Sequence, residues 1–179
     1  MNAGHPSRPA VKICCIASLA EARLAIAAGA QARGLVSAMP SGPGVIDEGL
    51  IAEIAAGVAA PVETFLLTSQ VSAAAIVAQH RRCRTSTLQL VDHVALAELA
   101  RPRDALPGVR LVQVIHVTGP ASVDDAVAVA PQVDAILLDS GNPGAAVQPF
   151  GLDLCSGVRA GGRLDAARLA AFFAALPVA

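Results

Sequence analysis

The stretch ILLDSGNPGAAVQPFGLDLCSG, from Ile136 to Gly157, decides how this chain folds. It holds two apolar runs, Ile-Leu-Leu-Asp-Ser and Leu-Asp-Leu-Cys-Ser-Gly, each reading as a buried strand that ends in polar residues. Between them lie only Gly, Asn, Pro, a few Ala and Gln-Pro-Phe-Gly. A parallel crossover needs about a dozen residues at least, and no helix pattern fits in this one.

Everywhere else a helix separates such runs. The other candidate strands are VKICCI from Val11, GLVSA from Gly34, VETFLLT from Val62, TLQLV from Thr87 and VRLVQVIHV from Val109, and the Ile-Leu-Leu-Asp-Ser run itself starts at Ala135. The first helical segment has Ser18 as N-cap, Glu21 three residues on and Gly29 past its end, the pattern of a capped helix. DEGLIAEIAAG opens with acids and closes at Gly57, and SAAAIVAQHRR from Ser72 closes in basic residues, as the helix dipole prefers. VALAELARPRD, interrupted by Pro102, SVDDAVAVA and a terminal amphipathic DAARLAAFFAAL complete the set.

Strand–helix alternation at a repeat of roughly 20–25 residues calls for parallel strands with right-handed crossovers. No G-x-G-x-x-G follows the first strand, which weighs against a dinucleotide-binding open sheet. Polar residues sit instead at strand C-terminal ends: Cys14, Asp139, Cys155 and Ser156. A (βα)8 TIM barrel places its chemistry there. Only seven strands are visible, and a complete barrel typically takes about 200 residues or more. The expectation is an incomplete, distorted, seven-stranded α/β barrel over residues 11–179, preceded by a flexible tail over residues 1–10.

Composition fits that architecture. Of the 179 residues 54% are hydrophobic, with four Phe and no Trp or Tyr. Such a core is packed from Ala, Val, Leu and Ile, the alphabet of parallel strands under Ala-rich helices. Net charge is -1, so no basic stripe argues for nucleic acid and no polybasic helix for a membrane surface. No apolar stretch reaches the ~18 residues of a membrane span. Cys14, Cys15, Cys83 and Cys155 form no C-x-x-C pair, which suggests free thiols in a cytoplasmic protein. No His/Cys cluster has metal-ligand spacing, so no metal is expected. Strand alternation puts Lys12 and Cys14 on one face and Cys15 on the other. Lys12 reads as a pocket-lining cation near Asp139. His116 shares a face with Val112 and Val114 and reads as a pocket or rim residue; His5, His80 and His93 read as tail or surface residues. Ser156, Gly157 and Val158 would offer backbone N–H groups to a phosphate at the mouth of the last strand.

At Lys12-Ile13-Cys14-Cys15-Ile16-Ala17 the chain begins to resemble phosphoribosylanthranilate isomerase, a (βα)8 barrel of tryptophan biosynthesis whose first strand reads Lys-Ile-Cys-Gly-Ile-Thr. The likeness continues through AAGAQARGLV, Gln89-Leu90, VIHV and Leu137-Leu138-Asp139-Ser140. It resumes at Cys155-Ser156-Gly157-Val158, where the family has Ser-Ser-Gly-Val and then an acidic residue. Between these the family carries a Gly-Gly-Thr-Gly loop, a helix, a strand ending in a phosphate loop and another helix. The resemblance therefore implies that about one and a half to two βα units are absent between roughly Val147 and Gln148.

The resemblance also implies a reaction: the Amadori rearrangement of N-(5-phosphoribosyl)anthranilate, an aldose–ketose isomerisation with no metal and no cofactor. Cys14 would be the general base and Asp139 the general acid. Two departures touch the anthranilate half of the substrate. The family's Ser-Pro-Arg, whose Arg faces the anthranilate carboxylate, is here Pro40-Ser41-Gly42-Pro43-Gly44, and its Gln-Leu-His is Gln89-Leu90-Val91. Two alternatives accompany the isomerase. One is an inactive barrel remnant serving as a binding or assembly module, a homodimer joined through open barrel edges. The other is a different enzyme acting on a phosphorylated sugar.

Overall fold

The computed structural model describes residues 9–40, 42–139 and 150–176. In chain order the elements are β1 (Ala10–Ile13), α1 (Leu19–Ala27), β2 (Ala32–Val36), α2 (Glu48–Ala56), β3 (Glu63–Thr68), α3 (Ala73–Cys83), β4 (Thr87–Leu90) and α4 (Leu96–Ala105). Then follow β5 (Arg110–His116), α5 (Ala121–Val129), β6 (Ala135–Asp139) and β7 (Gly151–Leu154). A small antiparallel pair, β8 (Arg159–Ala160) with β9 (Arg163–Leu164), precedes α6 (Ala166–Ala175).

The strands β1–β7 form one curled parallel sheet in the order β6-β5-β4-β3-β2-β1-β7. Its register sorts the side chains. Val11, Ile13, Leu35, Leu66, Leu88, Leu90 and Leu111 face the helices, where Ala22, Ala25, Ile51, Ile54, Ile76, Leu99 and Leu169 meet them in the main core. Burying each large aliphatic side chain there contributes about 1.5–3 kcal/mol. The opposite, concave face carries Lys12, Cys14, Gly34, Val36, Phe65, Leu67, Gln89, Val112, Val114, His116, Leu137 and Asp139, the residues that fill the inside of a barrel.

Local chemistry explains the helix starts. Ser18, Asp47, Ser72 and Asp165 each accept a hydrogen bond from a backbone N–H three residues on, satisfying donors that a first turn leaves orphaned. Pro102 does not end α4: the helix runs on to Ala105 with the ring buried against the core side. His80, expected at the surface, is buried, and its Nε2 lies 2.7 Å from the Thr85 carbonyl oxygen.

The sheet does not close. β6 pairs only with β5 and β7 only with β1, so both are edges among the described residues. This is a (βα)8 barrel opened at one seam. The seam coincides with the stretch that lacked a helix in the sequence; residues 140–149, with the expected deletion point at Val147–Gln148, lie outside the described residues. Elements bordering the seam leave apolar side chains in water: Val123 and Val127 on α5, Leu138 on β6 and Phe150 before β7.

Candidate active site at the open mouth

Cys14 follows β1 directly and continues its ladder, its N–H donating to the Leu154 carbonyl. Its sulfur sits over Gly34 on the concave face: a Cβ at Gly34 would lie 3.0 Å from Cys14 Sγ and 3.1 Å from Leu67. Glycine there keeps room for the thiol. Val36 and Leu67 complete the patch.

Cys15 does not take the opposite face. Its φ of 61° is a left-handed conformation that breaks strand alternation, so its side chain joins Cys14 and Cys155 at the mouth. Sγ of Cys15 lies 3.8 Å from Cys14 Sγ and 3.0 Å from Cys155 Sγ. The Cys15 thiol donates to Cys14 Sγ, and Cys155 Sγ is in hydrogen-bond contact with Cys15 Sγ. The hydrogen bond from Cys15 holds Cys14 below the usual thiol range; burial opposes this and the Lys12 charge assists it. The contact with Cys15 lowers Cys155 to about 6 against burial, with help from the Arg159 charge. Cys15 is itself raised by its two thiol neighbours and by burial.

Lys12 finds its counter-charge on β7 rather than in Asp139. Its Nζ lies 2.6 Å from Asp153 Oδ2, a pair aligned by the Lys12–Asp153 register, and 5.3 Å from the Phe65 ring centre. The carboxylate and the ring together make burial of the ammonium tolerable. Arg159 ties the mouth loops: it donates to the Cys14 and Cys15 carbonyl oxygens and pairs with Glu21. Burial works against the Glu21 carboxylate, yet hydrogen bonds from the Leu164 and Ala17 N–H groups and from Arg159 hold its pKa below the usual value. Sequence reasoning missed Asp153, Arg159 and Glu21 because their roles depend on which strands are neighbours.

Across the mouth, Asp139 ends β6 beside His116, with His116 Nδ1 3.3 Å from Asp139 Oδ2 and Nε2 3.1 Å from the Val91 carbonyl oxygen. A carbonyl only accepts, so a hydrogen bond there requires a proton on Nε2. His116 and Asp139 side chains are 52% and 57% exposed, so this half of the mouth is open to water.

The enzyme of Thermus thermophilus, phosphoribosyl anthranilate isomerase, matches with a TM-score of 0.75 at 24% identity, over 92% of this chain and 96% of that one. The fold is that of the phosphoribosylanthranilate isomerases. The Pyrococcus furiosus isomerase matches with a TM-score of 0.79 at 20% identity, over 93% and 97% of the two chains. A phosphoribosyl anthranilate isomerase in complex with reduced 1-(o-carboxyphenylamino)-1-deoxyribulose 5-phosphate matches with a TM-score of 0.76 at 19% identity, over 92% and 96%. No family model matches the sequence, and no curated protein does.

Within this isomerase fold, Ser156–Val158 forms a short 3-10 turn directly after β7, with Ser156 and Gly157 exposed and Val158 buried. It stands at the same sheet end as Cys14. Gln89 also faces the concave side, and its buried Oε1 has no hydrogen-bond partner among the described residues. A shallow hollow of about 300 Å³, lined by Ala52, Glu53, Ala56 and Arg84, lies between α2 and the end of α3, away from the mouth. No cluster of His, Cys, Asp and Glu among the described residues has the arrangement of a metal site, and no helix among them is long and apolar enough to cross a membrane.

Proposed function

We propose that this chain is an isomerase of phosphorylated aminosugars, acting on N-(5-phosphoribosyl)anthranilate or a close relative in tryptophan biosynthesis, in the cytoplasm. One observation carries the reading. Cys14 and Asp139 stand at the C-terminal ends of β1 and β6 on the same concave face, Cys14 beside Cys15 and Asp139 beside His116.

Asp139, beside His116, donates a proton to the ring oxygen and opens the sugar. Cys14, held toward the thiolate by Cys15 and Lys12, takes the C2 proton, and the aminoaldose becomes an aminoketose. This is general acid–base catalysis and needs no cofactor. The Ser156–Val158 turn receives the phosphate. Lys12 supports the base from beneath. The bound phosphorylated sugar analogue of the isomerase from which the third match comes supports this substrate class. The missing arginine after β2 points to a looser grip on the aromatic carboxylate.

A second reading rests on the open seam. Edge strands present unpaired ladder groups, and here Leu138 is 56% and Phe150 63% exposed beside them. An inactive remnant assembling through these edges would be a stable dimer without turnover.

Turnover of N-(5-phosphoribosyl)anthranilate by the full chain tests both. The isomerase reading expects measurable conversion and a loss of about 10²–10⁴-fold in Cys14→Ala. A dimer that leaves the substrate untouched selects the second.

A further inference from the structure

Cys155 and Cys15 are placed for chemistry that the isomerisation does not use. Their sulfur atoms are 3.0 Å apart, against the roughly 2.05 Å of a disulfide. They sit on neighbouring parallel segments, whose strands lie about 4.8 Å apart, inside the Cα range that a disulfide spans. The two thiols differ in access. Cys15 is buried beneath the loop after β2: its sulfur lies 3.5 Å from the Pro43 carbonyl oxygen, and a Cβ at Gly44 would lie 2.5 Å from the Cys15 Cβ. Cys155 is half-buried at the mouth. The contact with Cys15, and after it the Arg159 charge, lower the Cys155 thiol to about 6 against burial.

We propose that Cys155 and Cys15 form a reversible dithiol–disulfide site that reacts with hydroperoxides. The Cys155 thiolate attacks a peroxide oxygen. The O–O bond breaks, the leaving alkoxide or hydroxide takes a proton, and Cys155 becomes a sulfenic acid. Cys15 then attacks the Cys155 sulfur. The S–S bond forms, the S–O bond breaks, and hydroxide leaves with the Cys15 proton as water. Two thiols lose two electrons, and the peroxide gains them. The bond joins the end of edge strand β7 to the turn after β1 and leaves Cys14 as a free thiol. A dithiol reductant reverses it. This chemistry stands whether or not the chain turns over an aminosugar.

The test treats the purified full chain with hydrogen peroxide, blocks remaining thiols and digests with trypsin. The expected product is one peptide, Ile13–Arg23, joined to Leu111–Arg159, lighter than the sum by two hydrogens, with Cys83 unlinked. The link persists in Cys14→Ser and disappears in Cys15→Ser and Cys155→Ser. Oxidised wild type stays monomeric on a non-reducing gel and melts higher than reduced wild type, a readout independent of whether each variant folds. A link lost in Cys14→Ser but kept in Cys15→Ser would overturn the pairing. Sulfinic acid at Cys155 without a link, disulfides only between chains, or unchanged thiols would overturn the site.

Discussion

The two sides of the mouth are built differently. At β1 and β7 the polar groups are enclosed: Lys12 on Asp153, Arg159 on Glu21, and three sulfurs packed together. At β5 and β6 the polar groups stand in water, with His116 and Asp139 more than half exposed. Both sides come from strands of the same parallel sheet, with apolar runs of similar character. The difference is neighbours. β1 has a strand on each side, helices behind and facing side chains in front; among the described residues β6 has one neighbour. The enclosed ionic groups screen one another from water, whereas Asp139 meets His116 at an open rim.

Breaking the enclosed side gives the largest effect. Asp153→Ala strands a buried ammonium, and unfolding in urea is expected to show a loss of about 3 kcal/mol. Asp139→Ala on the open side is expected to change stability by less than about 0.5 kcal/mol. A similar loss for both would erase the distinction. Leu35→Ala, fully buried against the helices, falls in the same range, with an expected cost of about 2–5 kcal/mol; Leu138→Ala at the seam costs little by the same assay.

Arg33 sharpens the comparison in the opposite direction. It is fully buried on the helix-facing side of β2, its guanidinium nitrogens have no hydrogen-bond partner among the described residues, and burial lowers its pKa to about 10. Arg33→Leu is expected to stabilise by about 1–4 kcal/mol, read as a higher melting temperature. The smallest effect is one of pH. Burial holds His80 below its ordinary value of 6.5, so it is neutral in the fold. As the pH falls through 6.5 the unfolded chain binds a proton that the folded chain refuses, and stability drops; above that pH the group contributes no slope. Denaturation at about pH 7.5 and about pH 5.5, roughly one unit either side of that value, is expected to show the decline in wild type and a smaller one in His80→Gln.

Much of this was legible in the sequence. Short apolar runs with capped helices between them place each strand of the sheet, because parallel strands buried on both faces must be continuously apolar. The absent helix after Asp139 marks the seam. Cys15 was not legible: alternation assigns it to the far face, and only the left-handed backbone turns it toward Cys155. Lys12 was recognisable as a buried charge in need of a partner, but naming Asp153 requires knowing that β7 lies beside β1. His80 looked polar and terminal in its helix; the Thr85 carbonyl that meets its Nε2 comes from the turn after α3.

The most direct test compares kcat/KM on N-(5-phosphoribosyl)anthranilate for wild type, Cys14→Ala, Asp139→Asn and the double variant. Two groups working at one mouth predict a loss of about 10²–10⁴-fold in each single variant and a double loss well short of their product. Wild-type rates in either single variant, or no conversion by the wild type, would contradict it.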